Sequence, residues 1–357
     1  MTRKEYMDAL AEALSFLSEE ARDAALAFYD EMMEDSIEDG MTEEEAVAAM
    51  ESVEDIAAKL RDEEGKPEEK KENSGAWTYE EKKAVYPASS LNAIRIRARD
   101  CAIRFFPAQD DQITLIYHTC KEDPYALSCQ DGLLSLECQS AHRSWQKGFS
   151  FSFQGGFQIN WKASGPPPIA LHIPVDALLD LDLGTQNSAI RGEGLSALCA
   201  VTLATSNARI SLENMSCKSL QLQSSNARLE LINVSAKQFI QGDTSNGRIE
   251  ASKVSAAEEL TLTTSNGRFQ AEEISVKGLL NFTTSNGNIA LQCIQAGEIR
   301  LRTSNGKIQG ALPGKQADWA IESATSNGKN NLPKHQAGAK PLTVRTSNGN
   351  INLLFEE

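Results

Sequence analysis

The second half of the chain is an internal repeat, and this feature constrains the fold more than any other. The tag Thr-Ser-Asn-Gly, or a close variant, recurs through residues 181–357 at intervals of 19 to 22 residues. Between successive tags lie two β-like runs, which small-residue corners such as Ser255-Ala256-Ala257 separate. The nine tag asparagines are Asn187, Asn207, Asn226, Asn246, Asn266, Asn286, Asn305, Asn327 and Asn348.

This period predicts a mostly β protein built as a parallel β-solenoid, with one coil per repeat. Each strand pairs with its equivalent in the next coil, so nine coils at about 4.8 Å per step stack to roughly 40 Å. The crossover rule for parallel strands predicts a right-handed path. Helical repeats are excluded, because their periods lie near 33 or 34 residues.

The repeated tag is interpreted first as a structural turn. Glycine tolerates positive φ, and asparagine tolerates the left-handed region better than most residues. Stacked asparagine amides can hydrogen-bond along the solenoid as a ladder, and the Thr and Ser hydroxyls can satisfy backbone groups at the corner. The alternative is that Ser and Asn contact a ligand, but recurrence in every coil favours structure. The first three tags carry Ser188, Ala208 and Ala227 instead of glycine, as is typical of end repeats.

Basic residues recur two positions after the tag asparagines and predict a cationic stripe with steps of about 4.8 Å. One interpretation is a solvated face with partial Arg–Glu pairing through Glu230 and Glu250. The other is a face that binds an anion or a partner, including the chain's own acidic N-terminal part by intramolecular docking. The stripe residues are Arg209, Arg228, Arg248, Arg268, Lys307 and Lys329.

The N-terminal part of the chain differs from the repeats in charge and in periodicity. Residues 1–65 hold 21 acidic and 5 basic side chains, whereas the remainder holds 29 and 30, which disfavours direct binding of nucleic acid. Thr2 with Glu5 and Thr42 with Glu45 fit capping boxes, and apolar residues follow at helical spacing. Ser18 can cap a second helix, whose apolar stripe includes Ala25. We therefore predict an acidic helical domain over residues 1–61, a charged linker over 62–88, strand-rich opening rungs or a cap over 89–180, and the solenoid over 181–357. Within residues 89–180, Asp131-Gly132 lies between two strand-like runs and predicts a hairpin turn.

The sequence offers no pattern for catalysis, a cofactor or a metal. The four histidines lack partners in ligand spacing, and the seven scattered cysteines favour free thiols. A carbohydrate-active β-helix enzyme is a weaker alternative, because acidic residues occur singly in the repeats rather than in pairs. Neither a membrane span nor a signal peptide is recognisable, which predicts a cytoplasmic protein.

Two known families resemble parts of the chain. Residues 4–61 resemble the HAAS signalling domain, through the segments that run from Gly40 to Ala46 and from Asp55 to Ala57, among others. Residues 89–357 resemble a bacterial adhesin-like family of β-strand repeats of unknown function, of the toast-rack type. The residues that carry this second likeness are the tags, His172-Ile173-Pro174 and Asp131-Gly132-Leu133.

These resemblances imply a non-enzymatic signalling or scaffold protein. The HAAS-like part would engage a PadR-like transcription regulator or a sensory partner, and the solenoid would present a binding face. The alternative from another class is a cell-surface adhesin, or a protein that binds cell-wall polyanions.

Overall fold

The computed structural model describes residues 2–17, 42–57, 79–121, 124–139, 149–152, 158–161 and 166–356, with residues 22, 25, 26, 29 and 33. The chain divides into two compact units: Met1–Ala76 with Lys147–Ala163, and Trp77–Gln146 with Ser164–Glu357. Residues 62–78 of the predicted linker lie outside the described residues.

The first unit contains short, capped helices around a small apolar core. Helix α1 is Arg3–Ala13 and α2 is Glu43–Ala48. Both begin with the predicted capping boxes, and residues 53–57 are also helical, with the Asp55 amide donating to Ser52 Oγ at 3.1 Å. The buried residues include Tyr6, Leu10, Leu14, Val47 and Ile56. A second predicted helix with a cap at Ser18 falls largely outside the described residues, although Ala25 on its apolar stripe is helical and buried.

Strands dominate the rest of the described chain, and two short 3-10 turns occur at Ala88–Ser90 and Gln316–Asp318. The strands are β1 (Glu80–Pro87), β2 (Ala93–Arg97), β3 (Ile103–Pro107), β4 (Gln112–Thr119), β5 (Tyr125–Gln130), β6 (Leu133–Cys138), β7 (Phe149–Ser152), β8 (Gln158–Trp161), β9 (Ile169–Ile173), β10 (Asp180–Gly184), β11 (Ile190–Glu193), β12 (Leu198–Ala204), β13 (Ile210–Gln223), β14 (Leu229–Ala236), β15 (Phe239–Asp243), β16 (Ile249–Ser252), β17 (Ser255–Ala256), β18 (Glu259–Thr263), β19 (Phe269–Thr283), β20 (Ile289–Arg302), β21 (Ile308–Pro313), β22 (Trp319–Ala324), β23 (His335–Gln336), β24 (Lys340–Arg345) and β25 (Ile351–Glu356).

β7 and β8 pair only with each other, and the other strands form a mainly parallel β-solenoid of about eight turns, which confirms the predicted fold class. In the coils from β10 onward, the strands before the tags form one face and the strands after them form another, each pairing in parallel with its equivalent in the next coil. Inward and outward residues alternate: Leu220 and Leu222 are 1% and 3% exposed, and the glutamines beside them face solvent. The buried leucines and isoleucines of successive coils therefore stack into one continuous core.

Each central coil has a third paired segment where the sequence predicts only a small-residue corner. Ser255 and Ala256 form β17, which pairs with β14 on one side and β19 on the other, so the corner prediction there is wrong. The chain turns two residues earlier, at a position that repeats seven residues after the tag asparagine and has positive φ. The residues at this position are Gly194, Asn214, Asn233, Lys253, Glu273 and Cys293.

The N-terminal end of the solenoid is built partly from antiparallel strands. β2 and β3 add parallel strands to the two faces, and β4 and β5 then pair antiparallel with β9 and β6. The predicted hairpin turn at Asp131-Gly132 is confirmed, and both residues have positive φ. β1 lies within the predicted linker but pairs with β4 over eight residues, so that part of the linker prediction is wrong. Its charged outward residues are those of an edge strand, which the composition alone does not distinguish from a linker.

At the other end, the coils do not stack in chain order. β24 lies between β20 and β22, and β25 pairs with β21 on one side and forms an isolated bridge to Asn330 on the other. The last segment of the chain is thus inserted between the two coils that precede it. The outermost coil at this end is the one that carries Asn327, and not the coil that comes last in the sequence.

Candidate interaction surfaces

The tag threonines are buried and fully used within the solenoid. Thr264 Oγ1 donates to the carbonyl oxygen of Gly247 in the preceding coil at 3.1 Å. Thr264 Oγ1 also accepts a hydrogen bond from the backbone amide of Gly267 in its own tag at 3.1 Å. Thr244, Thr284, Thr303 and Thr346 repeat this pair of contacts. Because both hydrogen-bonding functions are satisfied internally, these hydroxyls stabilise the corner rather than offer contacts to a ligand.

The tag asparagines form one continuous amide ladder along the same corner. Each Nδ2 donates to the Oδ1 of the asparagine in a neighbouring coil at 2.6–2.8 Å, and Asn187 donates to Asp100 at 2.6 Å. The spatial order near the end is Asn305, Asn348 and then Asn327, which independently shows the inserted last coil.

The tag glycines are required for a different reason than the one predicted. None of the tag glycines or asparagines has positive φ, so the prediction of a left-handed turn is wrong. A Cβ at Gly267 would lie 1.9 Å from the carbonyl oxygen of Gly247, and one at Gly287 would lie 1.8 Å from that of Gly267. The corners stack so closely that a side chain pointing along the solenoid axis would overlap the coil below.

The predicted basic stripe is a paired network over its first three members. Arg209 lies 3.6 Å from Glu230, which also contacts Arg228 at 3.0 Å. Glu250 contacts Arg248 at 3.0 Å and forms a second, closer ion pair with Arg228. The side chains in this network are between 13% and 29% exposed, so much of their charge is compensated within the protein.

At the far end of the stripe, the spatial order of the residues differs from their order in the sequence. Asn350 lies between Lys307 and Lys329, because the last coil is inserted there. The backbone amides of the two lysines donate to the side-chain oxygens of Asn288 and Asn350, at 2.7 and 2.8 Å. Both lysine side chains are exposed. The stripe is therefore two surfaces, one neutralised by glutamates and one in which lysines alternate with asparagines.

The helical unit contains a groove with a volume of about 880 Å³, between α1 and the segment that follows α2. Its apolar lining includes Ala9 and Ala13 of α1, Val47 of α2, and Met50 and Val53 beyond it. Tyr6 also lines the groove and donates its hydroxyl to the backbone oxygen of Glu51 at 2.7 Å. Burial and the nearby Glu51 raise the pKa of Tyr6 to about 12, so this hydroxyl keeps its proton at neutral pH.

The rim of this groove is acidic. Glu12, Glu44, Glu51 and Glu54 line it and are all exposed, and none of the lining residues that the structure describes is a lysine or an arginine. The charge count of residues 1–65 alone does not distinguish this groove from the rest of the acidic surface. The sequence signal for the groove is the spacing of two helix-capping residues, Thr42 and Ser52, which lie only ten residues apart. This spacing places Glu51 and Val53 in a short connection next to α1.

Outside these surfaces, the described histidines do not come together in a shared site. His118 lies 3.6 Å from Glu81, and His172 packs edge-on against Phe106 with ring centroids 4.2 Å apart. Burial lowers the pKa of His172. Among the residues described, no group of three or more His, Cys, Asp or Glu is placed to hold a metal ion. None of the helices that the structure describes combines the length and apolarity needed to span a bilayer.

Comparison with known proteins gives two family matches. The Toastrack DUF4097 family model matches residues 91–354, and the HAAS family model matches residues 5–59. No relative was found among proteins with curated descriptions.

Solved structures resemble this chain at low identity. A candidate adhesin from Bacteroides fragilis matches with 10% identity and a TM-score of 0.40, covering 78% of this chain and 97% of its own. A candidate cell adhesion protein from Clostridium sporogenes matches with 8% identity and a TM-score of 0.22, covering 78% and 100%. The chain belongs to the Toastrack DUF4097 family, with a HAAS domain at its N-terminal end.

Proposed function

We propose that this protein is a non-enzymatic signalling scaffold, whose HAAS domain docks a PadR-like transcription regulator or a related sensory partner. The observation that carries the proposal is the groove between α1 and the segment after α2. Its described lining combines apolar side chains with four exposed glutamates and contains no basic residue. Such a groove complements an amphipathic helix that carries basic residues beside its apolar face, a common mode of protein recognition.

The test is binding of the full chain to a purified PadR-like transcription regulator, with one groove variant and one control. Glu54→Arg reverses a charge on the rim, and Asp8→Arg makes the same change on an exposed position of α1 that does not line the groove. We expect Glu54→Arg to weaken binding by roughly tenfold, about 1.4 kcal/mol, and Asp8→Arg to have a much smaller effect. No binding by the wild-type chain, or equal losses in both variants, would contradict the proposal.

A second candidate function is adhesion at the cell surface, which the adhesin descriptions of the structural neighbours suggest. We place the scaffold in the cytoplasm, where a transcription regulator acts. Fractionation of the native cell with protease shaving separates the two functions. The proposal expects the intact chain to be protected inside the cell, and an exposed chain would favour adhesion instead.

A further inference from the structure

The solenoid carries its positive charge unevenly, and the inserted last coil concentrates it. Residues 181–298 hold 9 basic and 11 acidic side chains, whereas residues 299–357 hold 8 basic and 4 acidic. The terminal coils are thus strongly cationic within a protein of net charge −15. The basic residues are Arg300, Arg302, Lys307, Lys315, Lys329, Lys334, Lys340 and Arg345.

Four of these cations flank three consecutive tag corners, and we call them the cationic corner. Arg302 and Lys307 lie on either side of the Asn305 tag, Arg345 precedes the Asn348 tag and Lys329 follows the Asn327 tag. The amide ladder shows that these three corners are adjacent, so the four side chains lie within about 10 Å along the axis. All four are exposed.

Little negative charge offsets the cationic corner. Among the described residues, no carboxylate forms an ion pair with Arg302, Lys307 or Lys329. Arg345 contacts Glu322 at 3.4 Å, but both side chains are about 60% exposed, and such a pair contributes only about 0–1 kcal/mol. A central corner differs, because Asp243 and Arg248 flank the Asn246 tag with opposite charges.

The arrangement costs stability within the protein. Arg302 and Arg345 are direct neighbours in the parallel register of β20 and β24. Like charges on directly neighbouring strands repel each other and so destabilise a sheet. An external anion that binds between these arginines would offset their mutual repulsion.

The side chains around the cationic corner indicate which class of ligand this surface suits. Ser326 and Ser347 present exposed hydroxyls beside the cations, as suits hydrogen bonds to phosphate oxygens. Among the described residues, the exposed large apolar side chains are Val85, Val175, Leu178, Ile232 and Leu354, and none is aromatic. The surface therefore lacks the platforms on which bases stack and the apolar cluster that would enter a membrane.

We propose that the cationic corner binds a linear, base-free polyphosphate chain, which lies along the solenoid axis across the three corners. The surface differs from the predicted stripe: Arg209, Arg228 and Arg248 are neutralised by glutamates, and Arg302 and Arg345 are brought together only by the inserted coil. It is independent of the partner of the HAAS domain.

The experiment measures binding of inorganic polyphosphate to the full chain over a series of salt concentrations. The test variant is Arg302→Gln with Arg345→Gln. The matched control is Lys218→Gln with Lys237→Gln, two exposed lysines in adjacent coils on another side of the solenoid. We expect the test variant to bind at least about tenfold more weakly at low salt, and the salt slope to fall by about two, with the control unchanged.

Thermal unfolding of each variant guards against a folding artefact. The test variant is expected to melt at or above the wild-type temperature, because it removes a like-charge pair. If it melts lower, the pair Lys307→Gln with Lys329→Gln replaces it, since neither lysine side chain has an ion pair among the described residues. No binding by the wild type, equal losses in test and control, or tighter binding of single-stranded DNA or anionic vesicles than of polyphosphate would overturn the proposal.

Discussion

At the scale of single residues, the solenoid depends on positions where backbone and side chain meet the neighbouring coil. The tag glycine is one such position, because the carbonyl oxygen of the preceding tag occupies the space that a Cβ would need. The left-handed residue seven positions after the tag asparagine is another, since an L-residue with a side chain costs about 1–2 kcal/mol there. Asparagine tolerates this conformation best among the non-glycine residues that occupy it.

Substitution of a tag glycine is predicted to destabilise the stack. In Gly267→Ala the new methyl group meets the Gly247 carbonyl at 1.9 Å, so the coils must shift apart locally. We expect a loss of about 1–3 kcal/mol in the free energy of unfolding, measured by urea denaturation. Ser265→Ala, an exposed position in the same tag, is the control and should change little. Equal stability of Gly267→Ala and the wild type would contradict the close-stacking explanation.

The left-handed position offers a stabilising change. Lys253 has φ 56°, and in the preceding coils Asn233 donates its Nδ2 to Asn214 Oδ1 at 2.7 Å from the same position. Lys253→Asn should relieve strain and extend this second, shorter ladder. We expect about 1 kcal/mol of stabilisation, or roughly 2–4 °C in Tm by calorimetry. Lys218→Asn, at an extended position of β13, should not stabilise, and a gain there equal to that at position 253 would refute the argument.

At the scale of strands, side-chain amides replace missing strand partners at the solenoid end. Beside β25 the chain forms only an isolated bridge at Asn330 instead of a full strand. The Asn331 side chain takes over: its Nδ2 donates to the Leu353 oxygen at 2.7 Å, and its Oδ1 accepts from the Leu353 amide at 3.0 Å. One side chain thus blocks part of an edge that would otherwise be open to another chain.

Loss of this amide is predicted to expose the edge of β25. Asn331→Ala removes both hydrogen bonds to Leu353, so the Leu353 amide should exchange with solvent faster while the opposite edge, paired with β21, stays protected. Hydrogen exchange followed by NMR measures this directly. Asn352→Ala, an exposed outward position of the same strand, is the control. Unchanged exchange at Leu353 would show that the amide does not close the edge.

At the scale of the whole molecule, the end of the solenoid and the end of the chain are different places. β24 separates β20 from β22, so β22 depends on a strand that follows it in sequence. Its other neighbour is β23, which has only two residues. The outermost coil is therefore held mainly by the last residues of the chain, and it should be the first part of this end to open.

A core substitution in the inserted coil should release the coil outside it. Leu342 is 1% exposed, and Leu342→Ala is expected to cost about 2–5 kcal/mol. Hydrogen exchange by mass spectrometry should rise most in residues 319–324, although they precede the mutation in sequence. Leu222→Ala, in the middle of the stack, should leave these residues protected. If Leu342→Ala left residues 319–324 unchanged, the inserted order of coils would be refuted.

The local sequence pattern alone predicts the repeat, the parallel solenoid, the capped helices and the hairpin at Asp131-Gly132. Periodicity and capping act over a few residues, so one sequence contains their full cause. The two family resemblances rest on the same short motifs. The asparagines of the ladder were equally visible, because every coil repeats them at the same place.

Tertiary structure decided what depends on which coils become neighbours. Equivalent tags make nearly equal ladders in any order, so the sequence does not specify that Asn348 lies between Asn305 and Asn327. That order alone brings Arg345 beside Arg302, and packing of α1 against the segment after α2 alone forms the acidic groove. Likewise, the need for glycine in the tags arises from the spacing between coils and not from the conformation of the turn. Contacts between residues distant in the chain are set by the packing of the whole, which no local pattern contains.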